Sequence, residues 1–266
     1  MTEFDAYERE LWAGRADAYE QGFARLTAHA VEPLLDAAGV RAGRRVLDLG
    51  TGPGIVAAGA LRRGAVVAAV DADPQMARTA ARNAPEADVR VAVLPALPHE
   101  DAAFDAVAGN FVINHVGEPE TALRELRRVL RQDGRLALTC WRMPGSGVLA
   151  LVRDAMDQVG VPWPDDVPLS PFLEYGRPDA FGDLVGRVFR DVAVEELTWD
   201  FEFKPEEWWR TGAMARVGSN GVVLARQDAA TIARVKEAYD GILKPYAARS
   251  GRVRVPAHAL LAHATR

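Results

Sequence analysis

Two acidic residues and a run of glycines are the residues of this chain with the most evident chemical use. Asp48 opens the glycine-rich segment 48–54 (DLGTGPG), and Asp71 ends the next apolar run. Glycines allow a ligand to come close to the backbone, and a helix that starts behind them offers free N–H groups. A carboxylate about 20 residues further on can accept hydrogen bonds from both hydroxyls of a ribose. The pattern therefore predicts a site for a ligand that contains a nucleoside.

The glycine turn is compatible with two kinds of nucleoside ligand. Residues 52–57 (GPGIVA) satisfy the G-x-G-x-x-A pattern of dinucleotide sites, so a nicotinamide cofactor is one alternative. However, Asp48 stands two residues before Gly50, where a carboxylate would repel phosphates and attract a cationic amine or sulfonium. The favoured ligand is therefore cationic, and a purely structural role for Asp48 in orienting the turn stays open.

The elements that must position these residues alternate in hydrophobic period. Short apolar runs predict strands, and helical spacing predicts the segments between them. The predicted strands are 45–49, 65–70, 89–93, 104–109 and 136–141, and the predicted helices are 18–39, 54–63, 74–83 and 118–131. We expect the last of these helices to stop at Asp133-Gly134 with a C-cap glycine. The strands are too apolar to leave one face in water, which is typical of an α/β fold with a covered parallel sheet.

The last 120 or so residues predict further strands separated by helical insertions. The predicted segments are helices at 148–160 and 178–189, a loop at 161–177, a strand at 191–203, two or three helices within 205–248 and a final strand at 252–264. We expect residues 1–40 to form a helical segment over the cofactor and 41–145 to form the binding core. Residues 146–266 would add the late strands and a helical substrate lid.

Four segments resemble the motifs of class I S-adenosylmethionine-dependent methyltransferases. Residues 46–54 (VLDLGTGPG) resemble the first motif and 70–76 (VDADPQM) the second, whereas 97–105 and 123–138 resemble the segments around the fourth and fifth strands. Agreement in order and spacing over residues 40–141 makes coincidence a poor explanation. The chain is most similar to the small-molecule branch that includes ubiquinone and menaquinone enzymes and natural-product tailoring enzymes. The resemblance implies a Rossmann-like, seven-stranded, mostly parallel sheet with helices on both faces.

The resemblance also implies which residues bind the cofactor. Gly50, Gly52 and Gly54 would bring the backbone, with Thr51, against the methionine moiety, near Asp48. The remaining cofactor-binding residues implied by the family are Tyr19, Asp71 (ribose), Ala72 and Met76 (adenine), Leu94, Asn110 and Phe111. Core packing is an equally good explanation for Met76 and for the aromatic helical segment that contains Tyr19.

One departure concerns the adenine end of the site. The family usually carries Asp-Ala after the third strand, with the acid bound to the adenine amino group, whereas this chain has Val93-Leu94-Pro95. Adenine would then be held by backbone groups and apolar packing, or by another side chain. The departure keeps open a relative that binds the cofactor without transferring a methyl group.

His115 is the candidate catalytic residue. A sulfonium is already activated, so placement of the nucleophile supplies most of the acceleration, and a base is needed only when the nucleophile arrives protonated. His115 follows the fourth strand, and histidine exchanges protons near neutral pH. An ordinary loop histidine is an equally good explanation. No group of histidine, cysteine and carboxylate residues has the spacing of metal ligands, so no metal is expected.

The acceptor is predicted from aromatic residues in the second half of the chain. Trp208 and Trp209, at a predicted helix start, would form an apolar lid together with Trp141 and Tyr175. For Trp199, Phe201 and Phe203, alternating on a strand, core packing is the better explanation. We therefore expect a small organic acceptor, aromatic or apolar, methylated on oxygen, nitrogen or carbon.

Charge and composition restrict the other partners. The net charge of the 266 residues is -5, strand four lacks the motif of DNA amino methylation, and Cys140 is the lone cysteine, so no internal disulfide can form. We expect a cytoplasmic protein without nucleic-acid or membrane partners, and leave a homodimer open. The predicted function is methyl transfer from S-adenosylmethionine to a small molecule. The alternatives are an NAD(P)-dependent oxidoreductase and a cofactor-binding relative without methyl transfer.

Overall fold

Seven strands form one sheet in the computed structural model, which describes residues 2–266. In chain order they are β1 (Arg45–Leu49), β2 (Val66–Asp71), β3 (Asp88–Val91), β4 (Phe104–Gly109), β5 (Leu130–Trp141), β6 (Arg190–Phe203) and β7 (Val253–Thr265). Across the sheet the order is β3-β2-β1-β4-β5-β7-β6. Neighbours pair in parallel except at β7, which is antiparallel to β5 and β6. The predicted seven-stranded, mostly parallel sheet is confirmed.

Helices connect the strands and precede the first of them. The α-helices are α1 (Glu3–Trp12), α2 (Ala16–Gln21), α3 (Phe23–Thr27), α4 (Val31–Ala37), α5 (Ile55–Arg62), α6 (Pro74–Asn83), α7 (Pro119–Val129), α8 (Leu151–Val159), α9 (Phe172–Tyr175), α10 (Pro178–Gly186), α11 (Pro205–Trp208), α12 (Ser219–Ala225) and α13 (Ala229–Leu243). Single 3-10 turns lie at Ala28–Ala30, Ile113–His115, Gly147–Leu149, Lys244–Tyr246 and Arg249–Gly251, and a π-helical turn at Trp209–Met214.

The local signals at α6 explain why the sequence predicts its bounds. Asp73 caps the helix, because its side chain accepts hydrogen bonds from the backbone N–H groups of Gln75 and Met76. Pro74 occupies the first helical position, where no N–H group is needed. The following buried face packs on the sheet, so the helix predicted at 74–83 is confirmed.

The predicted end of α7 is wrong. The helix ends at Val129, and β5 begins at Leu130, well before the predicted strand start at 136. Residues 131–134 form a bulge in β5, because the pairing with β4 shifts between Leu130 and Arg135. Asp133, not Gly134, has the positive φ angle, 59°. The Asp133-Gly134 pair therefore shapes a strand irregularity and not a helix C-cap.

Three apolar clusters hold the layers together. One joins the sheet to α7 and α10, and another joins the opposite face to α4 and α5. The third packs α8, α12 and α13 against β6 and the start of β7. The central strands are thus buried on both faces, as their continuous apolar sequences predict.

This topology brings the glycine turn and Asp71 to one edge of the sheet. β1 lies between β2 and β4, so the chain reverses its direction of progress across the sheet at β1. Ligands of open α/β sheets bind at such a switch, beyond the carboxyl ends of the strands. Within residues 2–266, no helix is both long enough and apolar enough to span a bilayer.

Candidate functional site

A cavity of about 380 Å³ opens at the carboxyl ends of β1, β2 and β4. Its lining comes from the turns that follow these strands and from α1 and α2. The predicted site residues that line it are Tyr19, Gly50, Gly52, Asp71, Ala72, Met76, Leu94, Asn110, Phe111 and His115. The structure therefore brings residues from distant parts of the sequence around one space.

Asp71 links the end of β2 to the glycine turn. One carboxylate oxygen accepts a hydrogen bond from the Gly52 N–H at 2.8 Å, and the other accepts from the Asp73 N–H at 2.9 Å. Burial raises the pKa of this carboxyl group, against the lowering by those N–H donors. Each oxygen keeps a further lone pair, so the carboxylate can still receive ligand hydroxyls.

Glycine is required at position 50 by both conformation and space. Gly50 has a φ of 61°, and a Cβ atom built there would lie 2.3 Å from Cγ2 of Val112. Val112 belongs to the loop after β4, so the two loops meet in direct contact. A Cβ at Gly52 would face the Tyr19 ring at 3.6 Å. The glycines thus allow close approach between the turn and its neighbours.

Asp48 lies beneath the turn and not on the cavity wall. Its Oδ2 accepts hydrogen bonds from the Thr51 hydroxyl at 2.6 Å and the Ala57 N–H at 2.9 Å. Its Oδ1 is buried without a partner among the described residues. Burial raises the pKa of Asp48 to about 7, with a smaller contribution from Asp71. These contacts support a role for Asp48 in orienting the turn. Thr51 and Gly54, which were also predicted to bind the cofactor, do not line the cavity either.

Asn110 is fixed by hydrogen bonds at the end of β4. Its amide N–H donates to the Thr27 carbonyl oxygen at 3.1 Å, and its Oδ1 accepts from the Thr139 hydroxyl at 2.8 Å. The Thr139 hydroxyl in turn accepts from the Phe111 N–H at 2.9 Å. These bonds tie the N-terminal helices to β4 and β5 behind the cavity.

The part of the cavity beyond Asp71 has an apolar floor. The side chains there include Met76, Ala92, Val93, Leu94 and Leu97. Val93, which stands where the family carries an acid, therefore contributes apolar surface to this pocket. The arrangement agrees with packing and backbone contacts as the means of holding an adenine ring.

Sequence reasoning predicts a helical segment over the cofactor at 1–40 but did not identify the side chains of α1 that reach the cavity. Asp5, Glu8, Arg9 and Trp12 all line the cavity, and Glu8 contacts His115 with 2.8 Å between Oε2 and Nδ1. The capping box between Thr2 and Asp5 is a local signal that predicts a helix start here. Nothing local indicates that the helix folds back onto a loop more than 100 residues away.

The charged residues on the wall are mainly acidic. Among the described residues the lining contains four carboxylates and one guanidinium, from Asp5, Glu8, Asp71, Asp73 and Arg9. A low-dielectric pocket with this excess of negative charge favours a cationic ligand and disfavours a pyrophosphate.

A comparison with protein families decides the nature of this part of the chain. Residues 47–138 match the family model described as a methyltransferase domain. This part of the chain, the methyltransferase domain, is similar to that family. The match spans the glycine turn, Asp71 and the strands up to β5, and it decides against the oxidoreductase alternative.

The chain is also similar to curated methyltransferases over segments longer than this match. It is 34% identical over 114 residues to a demethylmenaquinone methyltransferase of Renibacterium salmoninarum, covering 43% of this chain and 48% of that protein. It is 34% identical over 134 residues to a ubiquinone biosynthesis O-methyltransferase of Xanthomonas oryzae pv. oryzae, covering 47% of this chain and 56% of that protein. The chain thus spans about half the length of these relatives.

The fold likeness extends beyond the methyltransferase domain. Phosphoethanolamine N-methyltransferase 2 of Haemonchus contortus, solved in complex with S-adenosyl-L-methionine, is similar with a TM-score of 0.53. The alignment covers 89% of this chain and 52% of that chain at 18% identity. At this identity the likeness concerns the fold.

The four aromatic residues predicted to bind the acceptor do not line the cavity. Trp208 and Trp209 are only 4% and 7% exposed and pack in the apolar cluster with β6 and α13. Tyr175 packs against Phe172, and Trp141 stacks behind Phe111 with 4.1 Å between ring centroids. Core packing, which the sequence favours for Phe201 and Phe203, thus also accounts for Trp208 and Trp209.

Two other kinds of reactive group, metal-binding clusters and the cysteine thiol, do not add to this cavity. Within residues 2–266 no cluster of three histidine, cysteine or acidic residues could hold a metal ion. Cys140 is buried in β5, and this burial raises the pKa of its thiol.

Proposed function

We propose that this protein transfers a methyl group from S-adenosylmethionine to a small organic acceptor. The observation that carries the proposal is the acid-lined cavity beside the glycine turn, with Asp71 at the end of β2. The relatives named as a demethylmenaquinone methyltransferase and a ubiquinone biosynthesis O-methyltransferase support the same reaction class.

The residues present fit S-adenosylmethionine. Asp71 would accept the ribose hydroxyls, and the apolar floor with Met76 and Leu94 would contact adenine. Gly50, Gly52 and Asn110 would hold the methionine moiety, whose ammonium group and sulfonium suit the acidic wall. When bound, the cofactor supplies an electrophilic methyl group.

The remaining task of the protein is to place the acceptor in line with that group. Positioning contributes most of the acceleration in such a transfer, and exclusion of water strengthens the electrostatic contacts. The α1 side chains would hold the acceptor against the methyl group, because they line the same cavity as the glycine turn. Several assignments stay predictions. They are the roles of individual residues, the division into segments 1–40, 41–145 and 146–266, the cytoplasmic location and the homodimer.

Calorimetric titration tests the proposal. S-adenosylmethionine and S-adenosylhomocysteine should bind with micromolar dissociation constants, whereas NADH and NADPH should not bind. Binding of the nicotinamide cofactors alone would overturn the proposal.

The Asp71→Asn variant tests the ribose contact. Loss of a charged acceptor should weaken S-adenosylhomocysteine about ten- to hundredfold, since hydrogen bonds to charged groups contribute about 1.5–3 kcal/mol. Asp133→Asn makes the same chemical change at an exposed bulge residue outside the cavity and serves as the control. Equal affinity for both variants would contradict the role of Asp71.

Production of S-adenosylhomocysteine in the presence of small acceptors tests the transfer itself. A panel of phenols, amines and carbon acids should contain compounds that give methylated product, identified by mass spectrometry, and oligonucleotides should give none. Tight binding of S-adenosylmethionine with no methylated product from any small molecule would favour the cofactor-binding relative without methyl transfer.

A further inference from the structure

Glu8 and His115 form a carboxylate–imidazole pair on the cavity wall. The Oε2 atom of Glu8 lies 2.8 Å from Nδ1 of His115, and the same oxygen accepts a hydrogen bond from the Trp12 indole N–H at 2.9 Å. Glu8 is 7% exposed, an unusual environment for a glutamate. The pair joins α1 to the turn that follows β4, across 107 residues of sequence.

Contacts on both sides hold this pair in place. An Asp5 carboxylate oxygen accepts from the Gly117 N–H at 2.7 Å, two residues beyond His115. The Trp12 ring packs edge-on against the His115 ring with 5.1 Å between centroids. The Tyr7 hydroxyl donates to Ser219 Oγ at 3.1 Å and anchors the other side of α1. The geometry of the pair is therefore set by several independent contacts.

The carboxylate determines which imidazole nitrogen carries the proton. An ionised carboxylate can only accept a hydrogen bond, so the 2.8 Å contact between Glu8 and Nδ1 requires a neutral His115 ring to carry its proton on Nδ1 and leaves Nε2 bare and basic. No hydrogen bond to Nε2 occurs within the part of the chain that the structure describes. His115 lines the cavity, and its side chain is 31% exposed, so the ring is accessible to a ligand or to water.

We infer that Glu8 is a positioning residue that holds His115 as the general base for an acceptor with a weakly acidic hydroxyl, such as a phenol. This inference rests on the proposed function. The acceptor O–H bond breaks and its proton moves to Nε2, while the oxygen forms the bond to the methyl carbon as the carbon–sulfur bond breaks. The sulfur keeps the electron pair, Glu8 stabilises the imidazolium, and the proton leaves to water. The other charged groups that line the cavity around the pair are Asp5, Arg9, Asp71 and Asp73.

The tautomer of His115 provides a test that requires no acceptor. In ¹⁵N NMR spectra of the complex with S-adenosylhomocysteine above neutral pH, His115, assigned with His115→Asn, should carry its proton on Nδ1. Glu8→Gln should shift the ring toward the other tautomer, whereas Glu10→Gln, at an exposed position of α1, should leave it unchanged. A proton on Nε2 in the native protein, or no change in Glu8→Gln, would overturn the inference.

A kinetic comparison separates the base from a structural role. With the best phenol of the acceptor panel, Glu8→Gln should lower kcat at least about tenfold with little change in KM. The matching thiophenol is largely ionised and needs no base, so its methylation should keep its rate, and Glu8→Asp should restore part of the phenol rate. Equal losses for phenol and thiophenol would overturn the inference. Because S-adenosylhomocysteine binding is measured in each variant, a failure of the base can be distinguished from a failure of the proposed function.

Discussion

At the scale of single residues, Asp48 shows how an acid in a binding motif can serve the backbone. Its hydrogen bonds go to the Thr51 hydroxyl and the Ala57 N–H, so it connects the turn to the start of α5. Both partners are within nine residues, and the sequence had left such a turn-orienting role open. The absence of Asp48 from the cavity wall depends on the packing around it.

The raised pKa of Asp48 predicts a pH-dependent stability. In the unfolded chain the carboxyl ionises near pH 4, whereas in the folded chain it keeps its proton up to about pH 7. The stabilising effect is therefore complete below pH 4 and is lost as the pH rises to 7, by roughly 4 kcal/mol. Urea unfolding of the ligand-free protein between pH 4 and 8 measures it. Relative to the native protein, the free energy of unfolding of Asp48→Asn should therefore increase by that amount as the pH rises over this range.

The surface variant Asp133→Asn controls for the change from carboxylate to amide. A constant difference between Asp48→Asn and the native protein from pH 4 to pH 8 would contradict the raised pKa. A difference that grows as the pH falls would give the opposite sign, with a carboxylate stabilised in the folded state.

At the scale of elements, the contact between Gly50 and Val112 couples the β1–α5 turn to the loop after β4. In Gly50→Ala the new methyl group would meet Val112, and alanine would also adopt a left-handed conformation. We expect a loss of about 2–5 kcal/mol in the free energy of unfolding, from about 1–2 for conformation and about 1–3 for overpacking. Urea titration measures this loss.

Two further variants separate the causes of that loss. Gly160→Ala adds a methyl group at a φ of 79° with nothing within 4 Å, so it should show the conformational part alone. Val112→Ala combined with Gly50→Ala removes the contact at 2.3 Å but keeps the Val112 Cβ at 2.7 Å, so it should recover part of the overpacking cost. Equal losses for Gly50→Ala and Gly160→Ala would show that the contact contributes nothing.

A comparison of α6 and α7 shows which local sequence signals are sufficient to predict where a helix begins or ends. Proline and the Asp73 cap define α6, so its bounds follow from the sequence. The segment after α7 contains the same kind of signal, Asp133-Gly134, but the chain there pairs with β4 and forms a bulge. Pairing with a distant strand outweighed the local preference for a helix end.

At the scale of the whole molecule, cofactor binding should raise the melting temperature. A ligand at about 100 times its dissociation constant stabilises the folded state by about 2.7 kcal/mol, which corresponds to roughly 5–10 °C for a chain of this size. Differential scanning fluorimetry with S-adenosylhomocysteine should show this rise in the native protein and a smaller one in Asp71→Asn at the same concentration. An equal rise in both proteins, or a rise with NADH instead, would be evidence against the proposed site.

The sequence by itself determined the alternation of strands and helices, the glycine turn with Asp71, and the resemblance of residues 40–141 to methyltransferases. These features depend on hydrophobic period, backbone conformation and motif spacing, all of which are local. The tertiary structure decided that Trp208 and Trp209 are core residues, that Asp48 lies beneath the turn, and that Glu8 meets His115. These outcomes depend on which surfaces become buried together, because burial and long-range contacts are properties of the packed chain and not of any one segment.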